Sequence, residues 1–152
     1  MNASTMIQAN RSESLSTPRA AHRLPEAGRA RGLNLVRSGV IYLLLGVALG
    51  VFMGASGDHS LRSVHAHIGL FGWVSMALMG VIYLNLPDLA QTRLAAAHVV
   101  LHHAGLAGMM IGLAGKGLDI PGADPLLGLG SSLAAVAIAV FAYNLLRCGR
   151  VR

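Results

Sequence analysis

The sequence predicts an all-α integral membrane protein: a four-helix bundle running up-down-up-down with both termini cytoplasmic. Three observations carry that prediction. The chain of 152 residues is 54% hydrophobic and only 12% charged, against about 25% charged in an ordinary soluble domain. Its apolar residues fall into four runs, each near the roughly 20 residues that a spanning helix needs. Its basic residues lie almost wholly on one side of those runs, as the positive-inside rule requires of cytoplasmic segments.

The first run is Ser38–Ser56, entered from Leu33 if Arg37 snorkels to the interface. The others are Val64–Leu86, Leu94–Ala114 and Leu126–Leu146, and none of the four contains Lys, Arg, Asp or Glu. The connections "GDHSLRS", "PDLAQTR" and "GKGLDIPGADP" hold the Gly, Pro and Asp that end helices and form turns. Connections this short make successive helices antiparallel neighbours.

A net charge of +6 would by itself allow a nucleic-acid partner. The distribution excludes one: ten of the twelve basic residues precede the first span, lie between the second and third, or follow the fourth. Only Arg62 and Lys116 fall on the other side. Tyr42, Tyr83 and Tyr143 all sit near the cytoplasmic ends of their spans, as in an interfacial aromatic belt. Residues 1–32 read as a disordered basic tail at an anionic lipid surface. Residues 33–147 are the bundle and 148–152 a short basic tail. A bacterial inner membrane is the expected location, with the lipid bilayer as first partner. The single Cys148 excludes an internal disulfide and a cysteine metal cluster.

Glycines at four-residue spacing in the first span (Gly46, Gly50, Gly54), and Gly105, Gly108, Gly112 and Gly115 in the third, predict close helix packing. No span carries a carboxylate, which argues against a carboxylate-based ion pump.

Histidine is the residue that lipid does not explain. Of seven, His22 and His59 lie outside the spans; His65 and His67 are in the second, and His98, His102 and His103 in the third. A neutral histidine can bond a neighbouring helix, but five on two adjacent helices favour a cofactor. At about 100° per residue, His65 and His67 point about 200° apart and serve different faces. His98 and His102, four apart, share a face, and His103 points about 100° away. Zinc wants three or four protein ligands; haem b wants one or two imidazoles and an apolar slot, and fits better. Copper on His98, His102 and His103 is the lesser alternative. By depth, His67 and His102 are about 13 Å apart along the normal of a roughly 30 Å core. A haem with two axial histidines at His67 would then need a ligand from another chain, and a five-coordinate haem would need none; helix tilt or a shifted third span would close part of the gap and make His102 the candidate second ligand to the haem iron.

The stretch His65-Ala66-His67, with Gly72, Gly80, Tyr83 and Pro87 after it, resembles the tenth helix of the catalytic subunit (subunit I) of haem–copper oxidases, the family that includes nitric oxide reductases. "HVVLHHAG" (His98–Gly105) is similar to the start of the next family helix, with Val99 and Val100 where aromatics are usual. The four spans thus resemble the last third of a twelve-helix subunit. The resemblance implies that His65 and His67 are haem ligands, one haem on each side. It also implies that the chain is not a complete oxidase: the second-helix haem ligand, the three copper-binding histidines and the cross-linked tyrosine have no counterpart. No catalytic residue is assigned. The expected function is a small b-type cytochrome in electron transfer, or a respiratory-chain accessory. His67 is then the axial ligand and His65 the second, with Trp73, Phe71, Gly69 and Gly72 lining the pocket. A homo-oligomer or larger respiratory complex is the expected setting. The competing reading is a cofactor-free scaffold or assembly subunit in which the histidines are polar glue.

Overall fold

The computed structural model describes residues 26–148, and among these the chain is entirely helical apart from its connections. Most of the expected N-terminal tail, and residues 149–152, lie outside the described residues. Four helices are long and apolar enough to cross a membrane: α1 (Glu26–Ser56), α2 (Arg62–Asn85), α4 (Arg93–Gly117) and α5 (Ala123–Cys148). A one-turn helix, α3 (Pro87–Ala90), joins α2 to α4 and starts on a proline whose missing N–H costs nothing there. Helix α1 begins seven residues before the boundary read from composition, because Gly28 and Gly32 seat its first turns against Ala90, Gly80 and Leu84.

Helix ends follow their local chemistry. Gly57, at φ +72, closes α1 through a bond from its N–H to the Met53 carbonyl, the left-handed stop that glycine adopts without strain. Thr92 caps α4 by accepting the Ala95 N–H at 3.0 Å. In the α1–α2 turn Asp58 accepts the Ser60 N–H, which holds its carboxyl below the usual carboxylate range. That tie is present at neutral pH and is lost as pH falls through the lowered value.

Buried positions recur with alternating spacings of three and four. In α4 they include Ala95, His98, His102, Gly105, Met109 and Gly112; in α5, Gly130, Ala134, Ala137, Phe141 and Asn144. Seven residues per two turns is the period of left-handed helix packing. On α1 the stripe is Gly32, Gly39, Gly46 and Met53, seven apart; of the four-residue series read from the sequence, Gly46 and Gly50 pack against Ile68 and His65, while a Cβ on Gly54 would touch nothing.

The bundle is two tightly packed pairs, α1 on α2 and α4 on α5. In the first, Gly32 faces Gly80 and Leu84, Gly39 faces Ala77, and Gly46 faces Ile68. In the second, Gly105 faces Ala134, Gly112 faces Leu127, and Gly115 faces Ala123. In each pair the contacts ascend one helix while descending the other. At Gly112 a Cβ would stand 2.5 Å from the Leu127 Cα, so backbone meets backbone. Close approach of this kind drives association where lipid removes the hydrophobic incentive. The outward face is apolar, with Leu44, Val51, Leu78, Val100, Ile111 and Leu146 exposed.

Polar ties pin the end of the bundle that holds α3. Arg31 donates to the Ala90 carbonyl at 2.6 Å, Asn144 donates to the Leu89 carbonyl at 3.2 Å, and Thr92 donates to Asn144 Oδ1 at 3.1 Å. At the opposite end Lys116 and Asp124 pair at 2.7 Å, but both are well exposed. Screened pairs of this kind contribute roughly 0–1 kcal/mol. Asp124→Asn is therefore expected to leave the thermal midpoint in detergent within about 4 °C of the parent.

Two of the three tyrosines depart from the belt expectation. Tyr83 is fully buried and Tyr42 covers Gly72, leaving Tyr143 as the exposed one. Each inward ring has a specific partner that a lipid interface would not supply.

Candidate functional site

The middle of α2 is wound as a π-helix over Ile68–Ser75, between α-helical turns Arg62–His67 and Met76–Asn85. Side chains take two successive carbonyls of this segment. Ser75 Oγ donates to Leu70 O at 2.8 Å, and His102 Nε2 donates to Phe71 O at 3.2 Å. Donors that intrude on the helix's own ladder are a recognised cause of local rewinding, and π segments concentrate at functional sites.

The histidines divide as the helical arithmetic requires. His65 turns toward α1: its Nδ1 donates to the Gly46 carbonyl at 3.0 Å, and its ring fills the place of a Gly50 side chain. His67 turns away. Its Nδ1 donates to the Ser63 carbonyl one turn back at 2.8 Å, and its ring stacks on Phe71 with centroids 6.0 Å apart. Because a carbonyl only accepts, each Nδ1 carries the proton and each Nε2 holds a free lone pair. Neither Nε2 has a hydrogen-bond partner among the described residues, and neither is sealed in the interior.

His98 and His102 are sealed, at 0% and 1% exposure. Their ring centroids are 5.5 Å apart; Phe141 lies 5.1 Å from His98 and Tyr83 lies 5.6 Å from it. His98 Nδ1 and the Tyr83 hydroxyl share a hydrogen bond of 2.9 Å. His98 Nε2 and His102 Nδ1 are buried without a partner among the described residues, each at a cost of about 1–3 kcal/mol. His103 stands apart on the next face. Its Nδ1 donates to the Val99 carbonyl at 2.7 Å, and its Nε2 accepts from Ser38 Oγ at 2.9 Å. It lines an open groove of about 570 Å³ with Asn34, Arg37 and Ser38 of α1.

The residues expected to line one pocket do not share one. Phe71 accompanies His67, and Gly69 is open, with nothing within 4 Å of an added Cβ. Gly72 is filled by Tyr42, and the Trp73 ring lies against Gly39, so both face α1. His102 reaches the level of Phe71, one turn of helix below His67, so the two are closer in depth than span limits alone imply. No group of three or more His, Cys, Asp or Glu gathers around one point among the described residues. Sequence reasoning did not single out Tyr83 as the partner of His98. Their pairing across two helices has no signal in either helix alone.

Tyr83→Phe tests that pairing. It keeps the edge packing on Phe141, 5.6 Å away, and strands His98 Nδ1. A loss of about 1–3 kcal/mol is expected in detergent unfolding, and an unchanged midpoint would show the bond to be idle.

No protein-family model, curated protein or solved structure matches this chain.

Proposed function

We propose that this chain is a membrane subunit that holds haem b on the outer face of α2 through His67, and serves electron transfer or a respiratory complex; His65, expected as second ligand, faces α1 instead. One observation carries the reading. The His67 imidazole is fixed through Nδ1 to the Ser63 carbonyl, and its Nε2 has no hydrogen-bond partner among the described residues and is not sealed in the interior. Protein-bound metals commonly select histidines held in this way. The open Gly69 and the Phe71 ring beside His67 fit a flat macrocycle lying on the outer face of α2. The inner side does not fit one, because Tyr42 and His65 occupy the space over Gly72 and Gly50.

A bound haem supplies one-electron transfer. The chain's own part would be to ligate through His67 Nε2, fix that ring's orientation through the Ser63 carbonyl, and set polarity with apolar side chains. A surface position leaves one haem face to a second copy or a larger complex. The distribution of arginines and the opposed contacts within each helix pair support an up-down-up-down path with cytoplasmic termini. A bacterial inner membrane suits that topology.

One observation favours a cofactor-free scaffold instead. His65, His98, His102 and His103 each bond a second helix. Haemin titration of the detergent-purified protein separates the two readings. Saturable uptake with a Soret shift supports the haem reading. No uptake, with stable haem-free co-purification in a respiratory complex, supports the scaffold.

A further inference from the structure

The α4 pair, His98 and His102, is unused by the haem reading and is the most anomalous feature of the interior. Two imidazoles on one helix face are fully buried, and each has one nitrogen engaged and one unpartnered among the described residues. The engaged nitrogens are held from α2: His98 by the Tyr83 hydroxyl and His102 by the Phe71 carbonyl. Holding one ring nitrogen so that the other is presented is how metal-binding histidines are oriented. His102 must donate from Nε2, so its Nδ1 is a bare lone pair. His98 presents a second lone pair at Nε2 whenever its Nδ1 donates to Tyr83. The two rings are neighbours, with centroids 5.5 Å apart and planes at 75° to one another.

We propose that His98 Nε2 and His102 Nδ1 form a buried two-imidazole site for a single monovalent copper ion. The donor set selects the ion. Zinc wants three or four ligands, and calcium and magnesium want oxygens. Neither a third His nor a Cys, Asp or Glu gathers with the pair among the described residues. A dication without anionic ligands is poorly tolerated in an apolar interior. Imidazole is a copper ligand, and monovalent copper brings a single charge into the apolar interior. His103 does not join the pair, because Val99 and Ser38 take both of its nitrogens. The site differs from the α2 histidines in residues, in burial and in the group bound.

The test is loading of the intact detergent-purified chain with Cu(I) under reducing, anaerobic conditions against a chromogenic Cu(I) chelator. One copper per chain is expected, with an X-ray absorption edge and shell of two nitrogen scatterers. His98→Gln and His102→Gln should each lower retention at least tenfold, while His67→Ala and His103→Gln retain it. Circular dichroism identifies any variant that fails to fold. If such failure occurs, loss of the two-nitrogen signal in Tyr83→Phe, which keeps the packing, takes its place. Retention of no copper by the parent, or equal retention in the folded His98→Gln variant, overturns the proposal. A site that holds only water gives the first of these results. The outcome is independent of haem uptake, which is read at the Soret band.

Discussion

Gly130→Leu is expected to destroy the α4–α5 pair. An added Cβ there would collide with the Met109 backbone nitrogen and stand 2.5 Å from the Gly108 carbonyl carbon. Both are main-chain atoms inside a helix, so no rotamer change relieves the clash; the helices must separate. Separation also breaks the contacts at Gly105 and Gly112, where added Cβ atoms would lie 2.5 Å from the backbone of Ala134 and Leu127. Overpacking usually costs about 1–3 kcal/mol where side chains can yield, and a backbone-to-backbone clash belongs at or beyond the upper end. Two residues away, Gly128 is exposed and a Cβ there meets nothing within 4 Å. Gly128→Leu should be neutral or slightly stabilising, because leucine forms helix better than glycine by up to about 1 kcal/mol. Denaturation of the two variants in detergent, followed by circular dichroism, checks the contrast. Equal midpoints would show that the glycine contacts do not hold the bundle.

His67→Ala is expected to remove haem binding, reducing haem per chain at least tenfold. His67 reaches outward beside the open Gly69, and its Nε2 has no hydrogen-bond partner among the described residues. His65→Ala should have a smaller effect on haem and a larger one on packing. It breaks the bond to Gly46 and leaves a gap above Gly50. His59 lies exposed in the α1–α2 turn, bonded to the Gly57 carbonyl, so His59→Ala serves as the control that leaves haem unchanged. Haem content by pyridine haemochrome and unfolding midpoints, measured on the three variants, separate a ligand from a packing residue.

Much of this arrangement is legible in the sequence because it rests on periodicity. Four uncharged runs give four helices long and apolar enough to cross a membrane, and the four-residue spacing of His98 and His102 puts both on the buried face. The two-residue spacing of His65 and His67 sends them to different surroundings. What escapes the sequence is tertiary. The π winding of Ile68–Ser75 arises partly from His102, thirty-one positions away from Phe71. Tyr83 looks like an interfacial tyrosine until α4 places His98 against it. Trp73 and Gly72 look like pocket residues until α1 supplies Gly39 and Tyr42 to cover them. Of the four-residue glycine series on α1, Gly46 and Gly50 do pack, against Ile68 and His65, while Gly54 is open and the buried stripe continues through Gly39 and Gly32 instead.

The haem reading is tested most directly by the optical spectrum of the protein purified from the membrane without added haemin, with haem quantified per chain. A Soret band, an α band on reduction, and a haem stoichiometry that falls away in His67→Ala are the expected result. A colourless, well-folded protein that also takes up no haemin would contradict it, leaving the α2 histidines as ties between helices.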